Sequence, residues 1–204
     1  TSYEFIKNNR NYLMDIKEGN YLLYSILFLV FTIIWVFLLG FAAPIFLLGG
    51  FIFGKWLGTL LVVLGLSIGA TILYIFANYF LKEFIKEKFS IRFSYLNKKF
   101  KQNEFSFFLI YRFVGGIPFS ISNVLPTLFN VKIKNFFLGS IIGMTPQLFV
   151  GTSLGSGIEK IINENKEAPK FLELIVSSEI YIPVLGFIFL VMVGFFFKKF
   201  FYNN

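Results

Sequence analysis

The 204-residue chain contains no cysteine and no histidine. Without cysteine there is no disulfide, thiolate nucleophile, iron–sulfur cluster or zinc ribbon. Without histidine there is no Ser-His-Asp triad and no His-ligated metal or haem. Charge is scarce too, at 15% of residues, against about 25% in a soluble domain. The eleven acids all fall within 1–20, 82–104 and 159–179. The long apolar stretches therefore offer no carboxylate pair for hydrolysis and no carboxylate metal site. They also lack the embedded acid that couples a carrier to protons or sodium. These absences argue against an enzyme, and no cofactor or metal is expected.

What the chain does have is apolar surface. Hydrophobic residues make up 56% and aromatics 21%, and the mean hydropathy is +0.74. This composition reads as an all-α integral membrane protein with room for roughly four spans of about 20 residues. The net charge of +8 sits in basic residues beside apolar segments. That suits anionic lipid headgroups better than a nucleic acid, so no nucleic-acid partner is expected.

Four charge-free stretches are long enough to cross a bilayer: 21–41, 57–81, 135–158 and 180–197. The first follows a polar approach without a small-residue cleavage site, which predicts a retained helix rather than a signal peptide. A chain that opens on Thr1 points to a trimmed start. Two more apolar stretches are interrupted. Residues 42–56 hold Pro44, Gly49, Gly50 and Gly54; residues 105–130 hold Gly115, Gly116, Pro118 and Pro126. Proline removes a helical donor and glycine weakens a helix interior. Both stretches read as re-entrant hairpins lining a cavity, because non-helical backbone at membrane depth needs cover from protein or water. The alternative is a pair of kinked ordinary spans.

With cytoplasmic termini and both hairpins re-entrant, fourteen Lys and Arg lie inside and four outside, with Arg112 left in the membrane; this satisfies the positive-inside rule. The first hairpin then enters from outside and the second from inside. The domain plan is one membrane domain over 1–204. It comprises an N-terminal interfacial segment (1–20), span–hairpin–span (21–81), an amphipathic cytoplasmic linker (82–104), hairpin and span (105–158), an outer loop (159–179), and a last span with a basic tail (180–204). The linker carries Phe84, Ile85, Phe89, Phe93, Leu96 and Phe100 at helical spacing between lysines, as an interfacial helix does. A short helix is expected near 171–176.

An offset of 74 residues pairs Pro44 with Pro118, Gly65 with Gly139, Gly69 with Gly143 and Thr71 with Thr145. Each half is also a broken hairpin followed by a span, and the charge count opposes their orientations. This predicts an inverted repeat with a ligand site between the halves. The pairs Gly65/Gly69, Gly139/Gly143 and Gly151/Gly155 are Gly-xxx-Gly spacings for close helix contact. If exposed, they allow a homodimer. The glycines of 151–157 follow no strand, so packing rather than phosphate binding is their expected role.

Arg112 is the informative charge. An arginine at membrane depth costs about 2.5–3.5 kcal/mol on insertion scales and should face a cavity or an anion; otherwise it snorkels to the interface. Its planar fork suits phosphate, and it does not shuttle protons. Ser120, Ser122, Asn123, Thr127, Asn130, Thr145 and Gln147 gather near it in sequence. They either line a polar groove or satisfy backbone groups freed by Pro118, Pro126 and Pro146.

The run YRFVGGIPFSISN at 111–123, followed by Phe136, Phe137, Gly139, Gly143, Pro146 and Gly155, resembles the core of the DedA/VTT membrane proteins, also called SNARE-associated Golgi protein-like. In the first half Gly49, Gly50, Phe53, Gly54, Gly58, Gly65, Gly69, Ala70, Thr71 and Tyr74 agree. The resemblance covers roughly 40–158 and is nearest the branch of Golgi/ER members and their bacterial relatives. It implies two opposed re-entrant hairpins and a role in moving lipids across the bilayer. Eukaryotic members are regarded as phospholipid scramblases and some bacterial ones as recyclers of undecaprenyl phosphate. Arg112, Pro118 and Asn123 match the second-hairpin motif. Two departures stand out: Asn78 where the branch often has arginine, and an acid-free Ala42-Ala43-Pro44 where typical members carry an acid. The second argues against proton coupling.

The expected function is thus headgroup translocation of a phospholipid or polyprenyl phosphate through a groove between the hairpins. The expected binding residues are Arg112, Pro118, Ser120, Ser122, Asn123, Thr145 and Gln147. Pro44, Gly49, Gly50, Gly54, Gly65, Gly69, Gly115, Gly116, Gly139 and Gly143 shape the hairpins and the repeat. The competing readings are a small-anion or solute carrier and a non-transporting membrane-organising factor. A bacterial inner membrane is the expected location.

Overall fold

A computed structural model describes residues 20–89, 103–114, 117–164 and 177–202. The expected interfacial segment 1–18, most of the amphipathic linker, Gly115, Gly116 and the short helix near 171–176 lie outside the described residues. The described chain is all helix: α1 (Tyr21–Phe37), α2 (Ala42–Phe76), α3 (Glu104–Val114), α4 (Phe119–Val124), α5 (Ile133–Glu164) and α6 (Ser178–Tyr202). A π-helical turn, Ala77–Leu81, extends α2, and a 3-10 turn, Leu125–Phe129, extends α4.

Two helical stretches are long and apolar enough to cross a membrane, Ala42–Phe89 and Ile133–Ile162. Shorter apolar helices cover Tyr21–Phe37, Phe119–Phe129 and Ser178–Gly194. Their outer faces are greasy. Leu22, Leu38, Trp56, Tyr79, Phe80 and Phe196 are each more than two-thirds exposed. In water that much contiguous apolar surface would aggregate; in lipid it is the natural outside.

The first broken stretch folds back on itself. Gly54 sits at φ 72°, ψ 177°, so the helix ends at Phe53 and restarts at Lys55. A β-carbon on Gly58 would run into the Gly49 carbonyl oxygen, and one on Gly49 would lie 2.5 Å from Val62 Cγ2. Residues nine apart in a straight helix are about 13.5 Å apart; contact between them requires a hairpin. The second break is Asn130, a left-handed residue at φ 50°. Here too the chain returns, because Arg112 touches both Asn123 and Ser140.

The glycine pairs make these returns compact. Gly65 packs on Thr32 of α1, and Gly69 on Ile33 and Val36. In the second half Gly139 packs on Phe108 of α3, and Gly143 on Leu109 and Arg112. The contacted residues are offset by 76 positions (32, 33, 36 and 108, 109, 112), which makes α1 the counterpart of α3. The repeat unit is therefore larger than the sequence suggested: a helix, a short Pro-initiated helix, a left-handed break and a long helix. The stretch 105–130, read from sequence as one hairpin, includes the counterpart of the first expected span. The offset-74 threonines behave alike. Thr71 Oγ1 donates to Ser67 O at 2.7 Å and Thr145 Oγ1 to Ile141 O at 2.5 Å, each one helical turn back.

The third pair holds the halves together. Gly151 meets the Phe46 ring, Gly155 the Leu47 carbonyl and Gly50 the Thr152 carbonyl. All three Gly-xxx-Gly pairs are thus occupied within the chain, and a second copy would have to dock elsewhere. Helix α5 runs to Glu164, so the first residues of the expected outer loop are helical. Residues 82–89 continue the helix of α2 instead of starting a separate one.

Candidate functional site

Arg112 lies in the last turn of α3, two residues before its end at Val114, and only 5% of its surface is exposed. Its neighbours come from three elements. Nε donates to Ser140 Oγ of α5 at 3.1 Å; Nη1 donates to Ser122 Oγ at 3.1 Å and to Asn123 Oδ1 at 2.8 Å, both on α4. The guanidinium carbon lies 5.2 Å from the Phe108 ring centre and 4.8 Å from that of Phe136. Two aromatic faces and three neutral oxygens therefore solvate the cation. No carboxylate among the described residues bonds to it. Nη2 and Asn123 Nδ2 are buried donors without a hydrogen-bond partner among those residues.

The support extends outward. Tyr74 stacks on Phe136 with ring centres 4.4 Å apart and donates its hydroxyl to Val131 O at 2.5 Å. Tyr111 OH donates to Ser122 O at 3.0 Å. Glu104 Oε1 accepts from Lys132 N at 2.9 Å and from Asn135 Nδ2 at 2.6 Å, closing the entry to α5. Tyr74 enters the sequence reading only through the family resemblance, and Ser140 and Phe108 not at all. The spacing to their partners, 57, 28 and 4 residues, places two of the three contacts beyond any local pattern.

Arg112 borders a cavity of about 410 Å³. The wall includes Ser122 and Gln147 but is otherwise largely apolar, with Phe46, Ile117, Phe119 and Met144, and Phe187 of α6. The remaining sequence-predicted residues do other things. Ser120 Oγ donates to Leu39 O at 2.7 Å, gripping the left-handed Leu39 between α1 and α2. Thr145 bonds its own helix. Pro118 caps α4 and is exposed. Gln147 Nε2 donates to Phe113 O and, at 3.5 Å, to Arg112 O, satisfying carbonyls at the end of α3. Asn130 Oδ1 accepts from Lys82 Nζ at 2.5 Å, and Thr127 donates to Val124 O. Arg112, Ser122 and Asn123 thus come together; Ser120, Thr145 and Pro118 stand apart from the cavity. Among the described residues there is no cluster of three or more acids that would hold a metal.

Residues 29–157 match the VTT domain. A Transmembrane protein 41 homolog of Caenorhabditis elegans is 28% identical over 73% of this chain and 62% of its own length. The homolog of the same name in Dictyostelium discoideum is 28% identical over 69% of this chain and 44% of its own. The uncharacterized protein YqeD of Bacillus subtilis is 28% identical over 53% of each. The chain therefore spans between 44% and 62% of the length of these relatives. No solved structure matches. The VTT match takes in α2, α3 and α4, parts of α1 and α5, both breaks and the buried arginine, and it covers more than half of the sequence: the chain belongs to the VTT-domain (DedA) family of integral membrane proteins.

Proposed function

We propose that the protein moves the phosphate-bearing headgroups of membrane lipids across the bilayer without covalent chemistry. The observation that carries this reading is Arg112: a buried cation with no carboxylate bonded to it, on the wall of a largely apolar cavity. A bare ionised group in hydrocarbon costs on the order of tens of kcal/mol by Born reasoning. A guanidinium with a spare Nη2 and a nearby spare amide lowers that barrier for a phosphate. The apolar wall suits an amphiphile better than a small hydrated anion, and so favours a lipid over a solute. In this reading the 38–41 turn after α1 and the start of α4 are the tips of two opposed re-entrant hairpins, which meet where Ser120 Oγ bonds Leu39 O. Gly54, which follows the Phe53 ring packed on Tyr21, and Asn130 turn the chain nearer the two faces. The host membrane is a bacterial inner membrane.

The test is a liposome assay with dye-labelled phospholipid and an impermeant quencher outside, repeated with a labelled polyprenyl phosphate. Wild-type protein is expected to expose the inner-leaflet label to the quencher. Arg112→Ala is expected to slow this at least about tenfold, the worth of one charge-assisted hydrogen bond. Equal rates in empty liposomes, or full activity in the variant, overturn the reading.

A further inference from the structure

A second cavity, about 550 Å³, lies farther along α5, where it meets α6 and the Gly54 turn. Lys55 and Lys160 line it, with Ser153, Ser156 and Ser178. Among its described lining residues the one carboxylate, Glu179, accepts from Lys160 Nζ at 2.7 Å, so the described wall keeps a net positive charge. Both cavities count Val150 in their lining, and each is bounded by neighbouring α6 residues, Phe187 on the Arg112 side and Gly186 on the other. Gly186 has loose surroundings: a β-carbon there would touch only Val150 Cγ2, at 3.5 Å. Ser140, which binds Arg112, and Lys160 stand twenty residues apart on α5. At 1.5 Å per residue that is about 30 Å, the thickness of a bilayer's hydrocarbon core.

We infer that Lys55 and Lys160 form a second anion-binding station for lipid phosphate, nearer one membrane face and about 30 Å along α5 from the residue that binds the buried Arg112, and that the α5–α6 seam past Val150 and Gly186 is the route between them. The inference rests on the lipid-translocation reading and adds its far terminus and path. The headgroup leaves the water at the lysine station and reaches the buried arginine along a single helix. The acyl tails stay in the bilayer beside the outward apolar face of α6.

The site carries its own reporter. Trp56 adjoins Lys55, whose Nζ is 5.8 Å from its ring, and packs on Phe149 of the cavity wall at 5.1 Å. The one other tryptophan is Trp35. In a Trp35→Phe background, in detergent micelles, Trp56 emission is titrated with short-chain phosphatidic acid, with the matching neutral diacylglycerol, and with inorganic phosphate. A saturable change with phosphatidic acid alone is expected. Lys55→Gln, which breaks no ion pair, weakens it about tenfold, and Arg112→Gln leaves it unchanged. Gly186→Phe, which plugs the seam, slows flipping in liposomes to the empty-vesicle rate. A titration untouched by Lys55→Gln and by the Lys55→Gln/Lys160→Gln pair overturns the station, even if Arg112→Ala abolishes flipping. Equal saturation by inorganic phosphate makes it a free-phosphate site and overturns the lipid assignment. Normal flipping in Gly186→Phe overturns the route.

Discussion

Arg112 Nη1 and Asn123 Oδ1 meet at 2.8 Å across the 115–118 connection, one at the end of α3 and the other, fully buried, in α4. The amide turns its oxygen to the cation and is left with a buried Nδ2 that bonds nothing described. The pair is thus a positive charge flanked by a spare donor, an arrangement that a phosphate oxygen completes.

Asn123→Asp is expected to separate stability from transport. The carboxylate supplies the counter-charge that Arg112 lacks, in nearly the same shape, so it competes with lipid phosphate. Thermal unfolding in detergent should hold or rise while flipping falls at least about tenfold. A variant that flips normally contradicts a phosphate role for Arg112.

Gly54→Ala tests the first hairpin through the backbone alone. No atom lies within 4 Å of the new methyl group, but φ 72° is left-handed. With ψ 177° this is a region populated essentially by glycine alone, and a loss of about 1–3 kcal/mol is expected from the backbone strain, read as a lower unfolding midpoint. No change would mean that the turn relaxes freely.

Gly155→Ala and Gly186→Ala form a matched pair. The first drives a methyl into the Leu47 carbonyl; the second makes an ordinary contact with Val150. Overpacking should cost the first about 1–3 kcal/mol. The second should unfold within experimental error of wild type. The reverse order would place the tight contact between the halves elsewhere.

Tyr74→Phe keeps the stack on Phe136 and removes the bond to Val131 O. The expected cost is about 0.5–1.5 kcal/mol, rising if the buried carbonyl finds no water. Hydrogen exchange at 131–136 should accelerate relative to the rest of α5 if this bond anchors its entry.

Much of the architecture was legible because glycine and proline act locally. Pro44, Gly54 and Pro118 mark helix starts and breaks by backbone chemistry that needs no partner. The 74-residue repeat was visible for the same reason. Its true extent was not: the equivalence of Thr32, Ile33 and Val36 with Phe108, Leu109 and Arg112 lies in what each touches, and only Ile33 and Leu109 share a side-chain type. The polar residues divide in the same way. Ser120 and Ser122 are two positions apart, yet one grips Leu39 and the other meets Arg112. On a helix a shift of two residues turns a side chain to nearly the opposite face, and only the helix's placement says what each face meets.

By itself the sequence determined that the chain lives in lipid, that it has no thiol or imidazole and keeps its acids out of the long apolar stretches, and that one arginine is stranded among apolar residues; composition and charge settle these without geometry. Tertiary structure alone decided that the arginine is solvated by two aromatic rings and three oxygens from distant segments, and that the glycine pairs close the molecule on itself. Such contacts depend on close packing between residues far apart in the chain, and pairings of that kind leave no trace in local order.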